Sequence, residues 1–159
     1  MEREVILIFH FLGFGLLVTM TVAGFILDRQ YRKAPDLQTK AIILRSLKPI
    51  GLLSPVAVLV MLLSGIGNMR MLGYGVLDLG WLTAKIILFT IAVISGTLFG
   101  ITARKRGALV HAMAAGTAPA NAQETLSGYD RQVNLYHVVM PMLLLTILYL
   151  SIYGRLGGQ

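Results

Sequence analysis

His10 and Lys85 stand where polar side chains are costly, and both carry useful chemistry. Each lies a little more than one helical turn inside a long apolar stretch. A lysine at the centre of a membrane helix costs roughly 2.5–3.5 kcal/mol on insertion scales, so such a residue is read first as functional. A neutral imidazole is a ligand for haem iron or copper, and an ammonium is a partner for a carboxylate. At the helical rise the two residues reach a similar depth, roughly 7–9 Å below one membrane surface. The plainer alternatives are a histidine bonded to a backbone carbonyl and a lysine snorkelling to the interface beside Trp81. Two such residues at one depth on different helices favour a shared site. His10 is then a ligand, Lys85 a catalytic or ligand-pairing group, and Trp81, one turn before Lys85, part of its surround.

Methionine extends the set. Met69 and Met71 close the second apolar stretch near the depth of His10, and Met61 lies about two turns deeper. Thioether sulfur suits Cu(I), and His/Met pairs also ligate haem. Methionine is equally ordinary packing material. Arg45 and Lys48, before the second stretch, would suit an anionic lipid or the propionates of a porphyrin, besides marking the inner membrane face. His137 enters the fourth stretch from the opposite surface, a vertical offset of about 13 Å from His10. It suggests a second site or a pairing with Asn134. His111 reads as a solvated bystander. No carboxylate lies inside an apolar stretch, which argues against a proton-coupled carrier built on one and against a di-metal carboxylate enzyme. The absence of cysteine excludes disulfides, thiolate metal sites and thiol catalysis.

The elements that must position these residues are membrane helices. Of 159 residues 56% are hydrophobic and only 13% charged, against about 25% charged in soluble domains. The mean hydropathy is +0.75. A bilayer core about 30 Å thick takes roughly 20 apolar residues per helix. Four stretches meet this requirement: Val5–Leu27, Ile50–Met71, Leu79–Ala103 and Val133–Tyr153. The start, Met1-Glu2-Arg3-Glu4, is net acidic where a signal peptide is basic, so Val5–Leu27 reads as a helix.

The net charge of +7 would suggest nucleic acid in a soluble chain. Here the cations flank apolar stretches and serve as topology signals and lipid contacts, with no nucleic-acid motif among them. They crowd residues 28–49 and 104–132, which places those connections in the cytoplasm and both termini outside. The expected architecture is an all-α, single-domain integral membrane four-helix bundle in a bacterial inner membrane. The first connection reads as an amphipathic turn, or as an extension of the second helix starting at Pro35-Asp36. The third connection, 104–132, reads as disordered or partly helical around Leu109–Ala115. Pro49, Pro55 and Pro141 are expected to kink their helices. Ala92, Gly96 and Gly100 form a small-xxx-small stripe, which predicts close helix packing and a homo-oligomeric contact through Gly96 and Gly100.

Several segments carry a family resemblance over about the first 105 residues: His10 early in helix one, a Leu-Arg before helix two, Leu63-Ser64-Gly65-Ile66 and, most specific, Gly80-Trp81-Leu82-Thr83-Ala84-Lys85. Their arrangement resembles a group of small four-helix bacterial membrane proteins that includes the HemJ-type protoporphyrinogen oxidases and the membrane domain of CopD-like copper-resistance proteins. The resemblance implies a site for haem b or a porphyrin, with His10 and Lys85 matching the histidine and lysine of the HemJ-type enzymes. Their Pro-Arg-Leu is replaced here by Phe25-Ile26-Leu27-Asp28-Arg29, and their Asn-Glu-x-Pro by Asn134-Leu135-Tyr136-His137. Three functions stand as expectations. The first is haem or porphyrin binding for porphyrinogen oxidation, or for electron transfer to a respiratory-chain component. The second is copper handling through His10, Met69 and Met71. The third is a structural subunit docked through the Gly96–Gly100 face.

Overall fold

The computed structural model describes residues 2–156, the side chain of Arg155 apart. Four helices follow one another: α1 (Glu2–Lys33), α2 (Leu37–Leu72), α3 (Gly80–Ala114) and α4 (Ala122–Arg155). Short connections make sequence neighbours antiparallel. Asp36 caps α2, its carboxylate accepting from the backbone N–H of Thr39 at 2.7 Å and from the Thr39 hydroxyl at 3.0 Å. The Thr39 backbone N–H holds the Asp36 carboxyl below the usual carboxylate range. Gly73 ends α2 in the left-handed conformation (φ 70°), and the backbone N–H of Tyr74 reaches back to the Met69 carbonyl at 3.1 Å. α1 packs along α2, and α3 along α4. The two pairs meet more sparsely across α2–α3 and α1–α4.

All four helices are long and apolar enough to cross a membrane. Their outward side chains agree. Leu52, Leu63, Leu135 and Leu145 are among many large apolar residues left exposed, a surface that water would not tolerate but lipid does. The chain is a multi-pass helical membrane protein.

The helices run 32 to 36 residues, or roughly 48–54 Å, well beyond the roughly 30 Å of the bilayer core. The surplus lies at one end, that of connections 34–36 and 115–121. Segments 28–49 and 104–132, expected largely as connections, are therefore mostly helix. The extension of helix two from Pro35-Asp36 is the version that forms. The reason is packing. Tyr31, Ala41, Val110 and Leu126 bury one another in a second small core, with Ile43, Leu44, Leu109 and Met113 against it. That core gives otherwise polar helices a face to bury. The main core, around Leu17, Ala57, Met61, Ala92, Met140 and Leu144, fills the apolar part of the bundle. α2 is helical through Pro49 and Pro55, and α4 through Pro141.

Close helix approach occurs where the stripe in α3 did not point. A methyl at Gly13 would lie 3.0 Å from Met61 Cγ and 3.2 Å from the Met61 backbone nitrogen, so α1 and α2 touch nearly backbone to backbone there. Gly67 receives the Ile6 side chain, whose nearest carbon would lie 3.2 Å from a methyl there. Ala92 is in the core, but a methyl at Gly96 or Gly100 would meet open space. Among the described residues those two glycines mediate no close packing.

Candidate functional site

Near the end of the bundle where α1 begins and α4 ends, α1 and α2 set a histidine against a serine. The Ser64 hydroxyl donates its proton to the Val60 carbonyl one turn back in α2. The same oxygen lies 2.9 Å from His10 Nδ1. This contact fixes the orientation of the imidazole. Gly65 makes room, since a methyl there would already stand 3.7 Å from His10 Cε1.

Lys85 reaches the same place from α3. His10, Phe14, Met61, Lys85, Ile147 and Ser151 line one cavity of about 90 Å³, so all four helices contribute. His10 and Lys85, expected at similar depth, both line this cavity. Phe11 of α1 and Ile152 of α4 also line the cavity and are exposed on the bundle surface, so its mouth faces lipid along the α1–α4 seam. Ser151 turns its hydroxyl to the Ile147 carbonyl at 2.8 Å. The result is a small polar floor with an apolar rim.

Trp81, one turn before Lys85, packs its indole on Gly154 of α4. A methyl at Gly154 would sit 2.5 Å from two indole carbons. Trp81 therefore fixes the start of α3 to the end of α4 and so helps place Lys85. Met69 and Met71 do not line the cavity, and Met71 is 42% exposed. They follow Ser64 by five and seven residues, roughly 7.5 and 10.5 Å further along α2. Met61 is the methionine that shares the cavity with His10. Arg45 is exposed just over five turns from Ser64 on α2, at the opposite end of the bundle. The fold does not bring it to His10 and Lys85.

A second polar constellation escaped the sequence reading. Asp28 of α1 and Arg106 of α3 are 4% and 2% exposed. Arg106 Nη1 lies 2.7 Å from Asp28 Oδ1, and Nη2 lies 2.7 Å from Asp130 Oδ1 of α4. Arg32 Nε holds the other oxygen, Asp28 Oδ2, at 2.8 Å. The Arg106 guanidinium lies 3.8 Å from the centre of the Tyr31 ring, and the Lys40 ammonium of α2 is 5.4 Å from that centre. His137 faces this cluster rather than Asn134, which is exposed. Its Nε2 is 4.0 Å from Asp28 Oδ2. His111 is exposed, as expected. In the sequence, Asp28 looks like the polar end of an apolar run, and Arg106 like one of three clustered cations. Nothing local marks them as buried partners 78 residues apart.

Among the described residues no group of three or more His, Cys, Asp or Glu is placed to hold a metal ion. The bundle and its two polar sites define a class: a multi-pass helical membrane protein with a histidine–lysine cavity opening to lipid. No family model, curated protein or solved structure matches the chain.

Proposed function

We propose that this membrane protein binds a tetrapyrrole, haem or a porphyrin, in the service of porphyrinogen oxidation or electron transfer. The observation that carries the reading is the convergence of His10 and Lys85 in one cavity that opens to lipid. An ammonium beside a hydrogen-bonding imidazole suits a carboxylate, and the apolar rim suits a large flat ligand that arrives through the membrane.

The fit has a clear limit. Sites that enclose a drug-sized ligand run to about 300–1,000 Å³, whereas this cavity measures about 90 Å³. It admits a propionate head but not a macrocycle. Lys85 and His10 would hold the carboxylate, and Phe11 and Ile152 would face the apolar body in the seam. When bound, such a group supplies the redox chemistry. The chain's own residues select it by charge and keep its head from water. Copper is the weaker reading, because Met69 and Met71 lie outside the cavity and the Lys85 ammonium would repel a cation sharing it.

The test is the visible spectrum of the detergent-purified protein after growth with a tetrapyrrole precursor. Tetrapyrrole bands are expected, with occupancy falling about tenfold or more in Lys85→Met and in His10→Ala, the loss of one charge-assisted contact each. A flat spectrum, or bands unchanged in both variants, would refute the reading.

A further inference from the structure

The geometry points to His137 as a buried proton-binding site, at which uptake of a proton exchanges the partners of Asp28 and releases Arg32 to water. This site lies at the opposite end of the bundle from the cavity and does not depend on what that cavity binds.

His137 is enclosed. Its side chain is 6% exposed, as is that of Asp28. Phe25, Phe99 and Tyr136 present ring edges around the imidazole, with centroids 5.7 to 5.8 Å from its own. Neither ring nitrogen has a hydrogen-bond partner among the described residues. A buried polar group so placed calls for a role.

Both candidate partners of Asp28 Oδ2 approach the same atom. Arg32 Nε holds it at 2.8 Å, and His137 Nε2 stands at 4.0 Å. Oδ1 is separately held by Arg106. The two positions differ in their access to water. The Arg32 side chain is 38% exposed and that of His137 6%. Arg32 can therefore leave at little cost, whereas a charged imidazole must find an anion where it is.

Charge balance selects the exchange. His137 faces Asp28 of α1 and Tyr136 of α4; Asp28 is paired with Arg32 of α1 and Arg106 of α3, Arg106 in turn with Asp130 of α4 and the Tyr31 ring, with Lys40 of α2 over that ring. With His137 neutral, Asp28 and Asp130 balance Arg32 and Arg106. A proton on His137 adds one positive charge to this buried set. Departure of Arg32 restores neutrality, leaving two carboxylates against Arg106 and an imidazolium. The imidazolium then donates Nε2–H to Asp28 Oδ2 after a shift of about 1 Å, to charge-assisted bond length. Arg32 also donates to the Asp130 carbonyl at 3.3 Å. Its release removes that tie between α1 and α4, so the α1 end loosens.

The chain has no cysteine, so Lys33→Cys offers a single attachment point for a spin label on the last residue of α1. In the full-length protein in vesicles, label mobility should rise reversibly as the pH is lowered from about 7.5 and the histidine takes up charge. It should stay flat over that range in His137→Phe, which keeps the packed aromatic volume. Nitrogen NMR of the histidine-labelled parent should show one imidazole becoming doubly protonated with the same midpoint. That resonance should be missing in His137→Gln. Three results would overturn the inference: a flat label response in the parent, an undiminished response in His137→Phe, or a His137 resonance that stays neutral throughout. The second would assign the change to the carboxylates. The NMR reading on the unsubstituted chain decides the matter even if neither variant folds.

Discussion

A buried charge is worth what its partners make it. Asp28 sits almost out of reach of water, a position that would strongly disfavour a lone carboxylate. Arg106 and Arg32 take one oxygen each, and the Tyr31 face covers the Arg106 guanidinium. Against an apolar substitute such a network is often neutral in stability, yet removing one partner strands the others. Asp28→Ala should therefore lower unfolding stability in detergent by about 3–5 kcal/mol, because Arg106 stays buried with one anion fewer. Arg32→Ala should cost no more than about 1 kcal/mol, since its guanidinium rehydrates readily. Equal losses in the two variants would contradict the asymmetry in burial. At the other polar site Ser64 stands between the Val60 carbonyl and His10 Nδ1 and so holds the imidazole in place.

Among the helices, the informative positions are glycines, and they fall into two groups by what surrounds them. Gly13 and Gly154 each occupy a contact that a side chain would fill, one against α2 and the other against the Trp81 indole. Gly96 and Gly100 look more motif-like in the sequence but face open space. Gly154→Ala should destabilise the bundle by about 1–3 kcal/mol, since the indole is hemmed in by α4 and must move. Gly96→Ala should change stability by less than about 0.5 kcal/mol. Thermal unfolding of both variants in one detergent checks the pair. The opposite ranking would mean that the α3 stripe, and not the Trp81 contact, joins the helices. Spacing alone could not separate these groups. A four-residue repeat of small residues defines a face, and what packs on that face depends on rotations set by the other three helices.

In the whole molecule, two cores are stacked along one bundle with the ion cluster at their junction. One core lies in the apolar zone, and the other lies among helices too polar for it. The cations around the second core, including Lys40, Arg45, Arg104 and Lys105, predict that this end faces the cytoplasm. Single cysteines at Lys105 and Gly75 should therefore label on opposite sides. A membrane-impermeant maleimide should reach residue 75 in intact cells and residue 105 only after permeabilisation. The reverse pattern would invert the topology.

What the amino-acid order determined by itself was everything that rests on composition and period. The four apolar stretches, the antiparallel order imposed by short connections and the similar depth of His10 and Lys85 all follow from where runs begin and end. These are one-dimensional quantities, and the membrane enforces them residue by residue. Tertiary structure alone decided the azimuth of each helix and the fate of the charged segments. Met61 replaced Met69 and Met71 beside His10, and Arg45 was left at the far end. Segments rich in cations became helix because apolar residues far apart in sequence met in the second core. Asp28, Arg106 and Asp130, which look like ordinary solvated ends, turned inward together. Burial of a charge is favourable only when its partners arrive from other helices at the same moment, and no local stretch of sequence carries that condition.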